Sequence, residues 1–316
     1  MQLIDADTTR RHLAFAPLID ALRAMFAAGC EVPLRHTHAI GEAGTLLLMP
    51  AWRTGHRLGL KTVSISPGNS ALGLPGLHST YLLFDAETGV PLAQLDGNEI
   101  TSRRTAAASA LAASFLARAD ARRLLVVGTG RVGSLVAQAM RAVRPIERVE
   151  VWNHRTASAE ALARSLRDAG FDASASVDLA GAVSSADIVS CATLSTTALI
   201  RGEWLRPGTH VDLVGSFTPR MREADAGCFA ASRVYVDTDE ALAKSGDVLE
   251  AIAEGAFAAN QLQGTLAQLC RGERAGRSDA AQRTLFKAVG SALEDLAAAE
   301  LVFDAVRRES LSSPAT

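Results

Sequence analysis

Apolar runs and amphipathic stretches alternate along the chain from Arg122 onward. RLLVV (123–127) reads as a strand, GTGRVG follows as a turn, and SLVAQAMRAV reads as a helix. VEVWN, ASASV, DIVSCAT, HVDLVGS and VYVD read as further strands, with the helix TASAEALARSLRDAG between the first two. Strands alternating with helices predict parallel βαβ units, hence an α/β fold with a doubly wound parallel sheet of Rossmann type. The first 115 residues differ. A helix around Leu18 to Ala28 precedes the strand-like TLLLMPAW and LGLKTVSIS, and YLLFD and VPLAQLD flank the turn AETG, which makes an α+β block. After Asp279 the stretch TLFKAVGSALEDLAAAELVFDAV reads as one long helix, and SLSSPAT reads as a frayed end.

The chain has 316 residues, 48% of them hydrophobic, and a formal net charge of −2. That length suits two domains, and the near balance of charge argues against a nucleic-acid partner. No stretch approaches the ~18–20 uninterrupted apolar residues of a membrane span, and acidic residues precede any apolar run, so neither a secretory signal nor a membrane partner is expected. Cys30, Cys191, Cys228 and Cys270 show neither CxxC nor paired spacing, which points to plain thiols in a reducing cytoplasm. His36 and His38 lack a third ligand, and no metal is expected.

The turn after RLLVV carries chemistry. Gly128, Gly130 and Gly133 form GxGxxG between a strand and a helix, where glycines allow a tight turn and bring backbone N–H groups to a pyrophosphate at the helix N-terminus. The loop Gly128, Thr129, Gly130, Arg131, Val132, Gly133 is therefore the expected dinucleotide cradle. Twenty residues beyond Gly133, where a dinucleotide fold usually carries an acid for the adenosine ribose, stands Asn153. No carboxylate is there to repel a 2′-phosphate, and His154, Arg155 and Thr156 offer cationic and hydroxyl partners, although Arg155 also reads as a solvated charge at a helix start. NADPH is the expected cofactor, with NADH the alternative.

Three basic residues in the first block ask for partners. Lys61 interrupts the apolar run RLGLKTVSIS, Arg35 follows Pro33 in VPLRHTH, and Arg103 and Arg104 stand at the start of an alanine-rich helix. A cation in a first helical turn costs about 0.3–1 kcal/mol unless an anion faces it. Taken singly, each reads equally as a surface charge or a structural ion pair. Together, beside a dinucleotide module, Arg35, Lys61 and Arg104 suggest one carboxylate-binding pocket.

The segments LLLMPAW, GLKTVSI, LLFDAETGVPLAQLDGNEITSRRTAAASA, VVGTGRVG, DIVSCAT, VGSFTPRMRE and FKAVGSALEDLAAA, in this order, resemble the ornithine cyclodeaminase and mu-crystallin family. The resemblance covers nearly the whole chain. It implies a homodimer whose substrate-binding and dimerisation domain comprises residues 1–115 and 280–316, with a Rossmann NAD(P)-binding domain at 116–279. It assigns Arg35, Lys61 and Arg104 to the substrate carboxylate and Thr105 to the cofactor. Arg103 becomes a solvent or phosphate contact, Ser216 and Thr218 line the nicotinamide side, and Val289 and Gly290 pack against the substrate ring.

Two departures select among the family's reactions. Phe217 stands where cyclodeaminases resemble one another in an aspartate, and Leu47 stands where they carry a glutamate. Without these acids a distal ammonium would be desolvated with no counter-charge, at a cost of several kcal/mol, whereas a cyclic imine has no distal amine. VGSFTPRMRE is also similar to the form found in the family's ketimine reductases, which reduce Δ1-pyrroline-2-carboxylate to proline and Δ1-piperideine-2-carboxylate to pipecolate. The resemblance thus implies an oxidoreductase of proline metabolism acting on a small cyclic imino acid, with Lys61 as the charge nearest the reacting group. The alternatives are ornithine cyclodeamination, alanine-dehydrogenase-like reductive amination, and non-catalytic binding of the mu-crystallin kind.

Overall fold

Period-two alternation in the N-terminal third produces a mixed six-stranded sheet. Its strands are β1 (Gln2–Ile4), β2 (His36–Ile40), β3 (Gly44–Trp52), β4 (Arg57–Ile65), β5 (Leu77–Asp85) and β6 (Pro91–Asp96), in the order β1-β6-β5-β4-β3-β2. All neighbours are antiparallel except β1 and β6. Met49, Lys61, Tyr81, Leu95 and Ile4 align in one cross-strand row, and all five are buried. Over this face the Ala292–Ser312 helix packs on β3 and β4 and against the Phe15–Ala28 helix. In the latter, Leu18, Leu22, Met25 and Phe26 fall at helical spacing and are buried, each worth about 1.5–3 kcal/mol in apolar transfer. On the opposite face Leu46, Leu48, Leu60, Leu82 and Phe84 remain only half-buried.

The computed structural model describes residues 1–312. Two units emerge, one formed by residues 1–104 and the chain from Ser291 onward, the other by Thr105–Gly290. Both lie elsewhere than at the boundaries 115/116 and 279/280 expected from the sequence. The upstream break falls inside the Gly97–Leu116 helix, because Ala106, Ala107, Ala108 and Ala110 are buried with the second unit. The downstream shift has a different cause. TLFK (284–287), expected as helix, is a strand buried along its whole length, and a short apolar run flanked by buried neighbours has no periodicity that separates strand from helix. The helix starts only at Ala292 and reaches Ser312; of the expected frayed end, residues 313–316 lie outside the described residues.

The arginine helix also begins earlier than expected, at Gly97, where the Asp96 carboxylate accepts the Glu99 N–H at 2.8 Å. Arg103 and Arg104 therefore sit beyond the first turn, outside the reach of the helix dipole.

The second unit is a doubly wound α/β layer. Its parallel strands are β7 (Arg123–Val127), β8 (Arg148–Trp152), β9 (Asp172–Ala175), β10 (Ile188–Cys191), β12 (His210–Leu213), β14 (Arg233–Val236), β15 (Gly264–Thr265) and β16 (Thr284–Lys287), in the order β15-β14-β16-β12-β10-β7-β8-β9. A separate parallel pair joins β11 (Thr196–Ile200) to β13 (Arg222–Ala224). Strand order reverses between β7 and β10, the switch point at whose carboxyl ends such sheets bind ligands. Leu125, Val127, Val189, Val211, Leu213 and Leu285 form its buried centre. No helix among the described residues is long and apolar enough to cross a membrane.

Candidate active site

In the first unit Lys61 projects from β4 onto the buried face, and its Nζ lies 2.6 Å from Asp295 Oδ2. Arg104 donates from Nε to Asp295 Oδ1 at 2.9 Å and from Nη1 to Glu294 Oε2 at 2.5 Å. The anion facing the arginine helix is thus first of all the protein's own pair of acids. Two cations and two carboxylates balance, which makes their burial tolerable. The ammonium and guanidinium nevertheless carry more donors than these bonds engage.

Burial, and then the proximity of Arg104, pull the Lys61 ammonium down to about 8 against the opposing pull of Asp295. Burial works against the Asp295 carboxylate, but Arg104 and Lys61 outweigh it and hold the group below the usual carboxylate range. Arg104 is raised: its burial is outweighed by Asp295 and Glu294. Beside them Tyr81 is pushed well above its ordinary value by burial and by Asp295.

Arg35 directly precedes β2 and is half-buried. The strand it leads into pairs with β3 from His36 opposite Leu48, and Met49, the next residue of β3, is the cross-strand partner of Lys61. Leu47 pairs with Val63 on the same face as Lys61, two residues from Met49, so an aliphatic side chain occupies a position where a carboxylate would face the same layer. Arg103 departs from expectation. Its Nε lies 3.3 Å from Glu99 Oε2, its Nη1 donates to the Leu13 carbonyl at 3.1 Å, and its guanidinium covers the Phe15 ring. It clamps its own helix to the N-terminal segment instead of meeting solvent or phosphate.

In the second unit the three glycines serve three purposes. Gly128 has φ of +102° and donates to the Trp152 carbonyl at 2.9 Å, while a Cβ there would come within 2.5 Å of the Ala192 carbonyl. Around Gly130 a Cβ would meet nothing within 4 Å, so the backbone is open to a close ligand. Gly133 opens the Gly133–Arg141 helix, and a Cβ would lie 2.2 Å from the Gly128 carbonyl. These are the tight turn, the approach and the helix packing that a pyrophosphate cradle needs, so the residues present fit a dinucleotide. Thr129 and Val132 are half-buried in this loop, and Arg131 is exposed. Beyond β8, Asn153 Nδ2 donates to the Arg155 carbonyl at 3.3 Å, and His154, Arg155 and Thr156 are exposed at the start of the Thr156–Asp168 helix, whose first turn holds no acid.

Two residues expected near the cofactor and the substrate are engaged within the protein. Ser216 is fully buried; its hydroxyl donates to the Met221 carbonyl at 2.7 Å and accepts the Asp247 N–H at 3.1 Å, so the side chain braces a loop. The Val289 side chain belongs to a small core with Val236 and Ala241. The N–H groups of Val289 and Gly290 donate to Asp237 Oδ2 at 2.8 and 2.6 Å. Thr218 stays half-buried.

Sequence reasoning missed Glu294, Asp295, Glu223 and Asp237. For the first two a signal existed, since adjacent acids that lead straight into the apolar stretch LAAA of a helix ask for buried cations.

A profile of the ornithine cyclodeaminase/mu-crystallin family matches residues 7–310. An uncharacterized protein of Schizosaccharomyces pombe is 46% identical over 318 aligned positions, 96% of each chain. The Δ1-pyrroline-2-carboxylate reductase of Paracoccus denitrificans is 39% identical over 301 positions, 94% of each chain. Among solved structures, the Δ1-pyrroline-2-carboxylate reductase of Thermococcus litoralis in complex with NADH and L-proline has a TM-score of 0.93, with 30% identity and 98% of each chain covered. The chain belongs to the ornithine cyclodeaminase/mu-crystallin family.

Proposed function

We propose that the chain is an NADPH-dependent ketimine reductase that converts Δ1-pyrroline-2-carboxylate to L-proline and Δ1-piperideine-2-carboxylate to L-pipecolate. The observation that carries this is the buried cationic pair of Lys61, on the sheet, and Arg104, on the Gly97–Leu116 helix, beside a sheet face where Leu47 replaces an acid. Such a layer suits a carboxylate with no distal amine. A diamine would bring a second cation and find no counter-charge left for it, since Asp295 and Glu294 already pair with Lys61 and Arg104.

Arg104, Lys61 and Arg35 hold the substrate carboxylate. Asp295 and Glu294 fix the two cations before substrate arrives, so little ordering is left for the binding step. Lys61 is the charge closest to the reacting group and keeps the carboxylate anchored while the ring nitrogen carries its proton. Bound NADPH supplies the hydride that C2 of the protonated imine accepts. Gly128 to Gly133 cradle the pyrophosphate, Thr105 and Thr218 contact the cofactor, and Arg155 with His154, Thr156 and Asn153 takes the 2′-phosphate. The exposure of Arg155 at a helix start without acids supports NADPH over NADH.

The half-buried aliphatic face of the six-stranded sheet supports a homodimer, since a monomer would leave Leu48, Leu60 and Leu82 partly in water. Four unbridged cysteines suit a cytoplasmic setting. The test is steady-state: purified protein, NADPH and Δ1-pyrroline-2-carboxylate are mixed with and without ammonia while nicotinamide absorbance is followed. Oxidation with the imine alone is expected. A strict requirement for ammonia would point to reductive amination instead, and no oxidation would remove the proposal.

A further inference from the structure

The loops that leave β10 and β12 are tied together by one buried carboxylate. Glu223, on β13, is fully enclosed. Its Oε1 accepts the Thr193 N–H at 2.7 Å and the Thr193 hydroxyl at 2.9 Å, and its Oε2 accepts the Gly215 N–H at 2.6 Å. The fit leaves no slack: a Cβ on Gly215 would lie 2.1 Å from the Thr193 carbonyl and 2.4 Å from Glu223 Oε1.

Behind this carboxylate stands a second layer. Asp247 Oδ1 accepts the N–H groups of Glu223 and Ala224 at 2.7 and 3.1 Å. Its Oδ2 is 3.6 Å from Lys287 Nζ, which donates to the carbonyl of Leu213, the last residue of β12, at 3.1 Å. Burial pushes the Glu223 carboxyl up to about 7 against the pull of Lys287 and of the Thr193 and Gly215 N–H groups, and a buried carboxyl is costly unless its bonds are used. Here three donors converge on it from two separate loops, both at the carboxyl ends of strands on the far side of the switch point. In a doubly wound dinucleotide fold that side serves the second mononucleotide, whereas the glycine loop and the end of β8 serve the first.

We propose that Glu223 is a positioning residue for the nicotinamide half of the cofactor. It fixes the backbones of Thr193 and Gly215 so that the two loops present one rigid surface, and it does so without touching the dinucleotide. This rests on the dinucleotide-binding reading above.

The test separates the two halves of the cofactor. Dissociation constants for NADPH and for 2′-phospho-ADP-ribose, which lacks the nicotinamide, are measured for the wild type, Glu223→Gln and Thr193→Val, with kcat and KM for the imine alongside. Glutamine keeps the volume but places an NH2 group against one of the N–H donors. Glu223→Gln is expected to weaken NADPH by about tenfold, in keeping with loss of a charged hydrogen bond, while binding of 2′-phospho-ADP-ribose and the KM for the imine stay unchanged. Thr193→Val removes the hydroxyl's bond to Glu223 and the weaker one it accepts from the Ser195 N–H at 3.3 Å, leaves both backbone bonds to Glu223 in place, and is expected to shift the same ratio by a smaller factor, so it decides the matter if Glu223→Gln does not fold. Equal weakening of both ligands, or no change in either, would assign Glu223 to plain structural support. A wild type that binds neither these ligands nor NADH and ADP-ribose would overturn the dinucleotide reading itself.

Discussion

Asp295→Asn tests the charge layer beneath the proposed substrate site. Asp295 is the shared partner of Lys61 and Arg104, at 2.6 and 2.9 Å, and lies fully buried. Breaking a buried ion pair by neutralising one member costs about 3–5 kcal/mol. Because asparagine keeps the shape and one acceptor, the lower end is expected, about 3 kcal/mol at pH 6. For a chain of this size that corresponds to a fall of about 4–5 °C in melting temperature. The pH dependence is the sharper part. Lys61 is depressed from 10.5 to about 8 in the native protein. Between those values the unfolded chain holds a proton that the native one has released, so this site's contribution to wild-type stability rises with pH across that window. Without the Asp295 charge the native pKa falls further. Below pH 8 the variant must keep Lys61 charged without a partner or release its proton, and release costs about 1.4 kcal/mol more for each pH unit below that value. Above it Lys61 is neutral in both proteins and only the loss to Arg104 remains. Melts of both proteins from pH 6 to pH 9 should therefore show a deficit that shrinks by about 2–3 kcal/mol. A deficit that is flat across this range would refute the coupling of Lys61 to Asp295.

Three further outcomes are expected. Arg155→Ala should raise the KM for NADPH by about tenfold, the scale of one lost charged contact to phosphate, and leave the KM for NADH unchanged; equal effects would place the 2′-phosphate elsewhere. Gly133→Ala forces a Cβ to within 2.2 Å of the Gly128 carbonyl and should weaken NADPH by more than about tenfold, measured by fluorescence titration. The value of kcat/KM for the imine should fall as pH rises through about 8, where the Lys61 ammonium loses its proton, and Lys61→Arg should move that fall to higher pH.

Much of the architecture was legible because local pattern and global fold agree. RLLVV followed by GxGxxG and an amphipathic helix announces a strand, a tight glycine turn and a helix from sequence alone, and all three stand where expected. TLFK misled because a central parallel strand is apolar on both faces, Lys287 aside, and abutted a true helix. Lys61 was recognisable as a lysine in need of a partner, since its alternation puts it on the buried face. Its partner was not, because Asp295 lies 234 residues away and only the folded sheet and helix bring them together. The same holds for Glu223: its bonds run to the backbones of Thr193 and Gly215, and backbone acceptors and donors leave no trace in residue identity. The internal bonds of Ser216 and the packing of Val289 were illegible for a related reason, since a place in the sequence does not say which way a side chain turns.

The most direct measurement is the fate of the hydride. The protein would be given Δ1-pyrroline-2-carboxylate and NADPH deuterated at C4 of the nicotinamide, in light water and without ammonia, and the product analysed by mass spectrometry and NMR. L-Proline carrying one deuterium at C2 is the expected product. Recovery of unreacted imine, or of an amino acid formed only when ammonia is supplied, would contradict ketimine reduction as the activity of this chain.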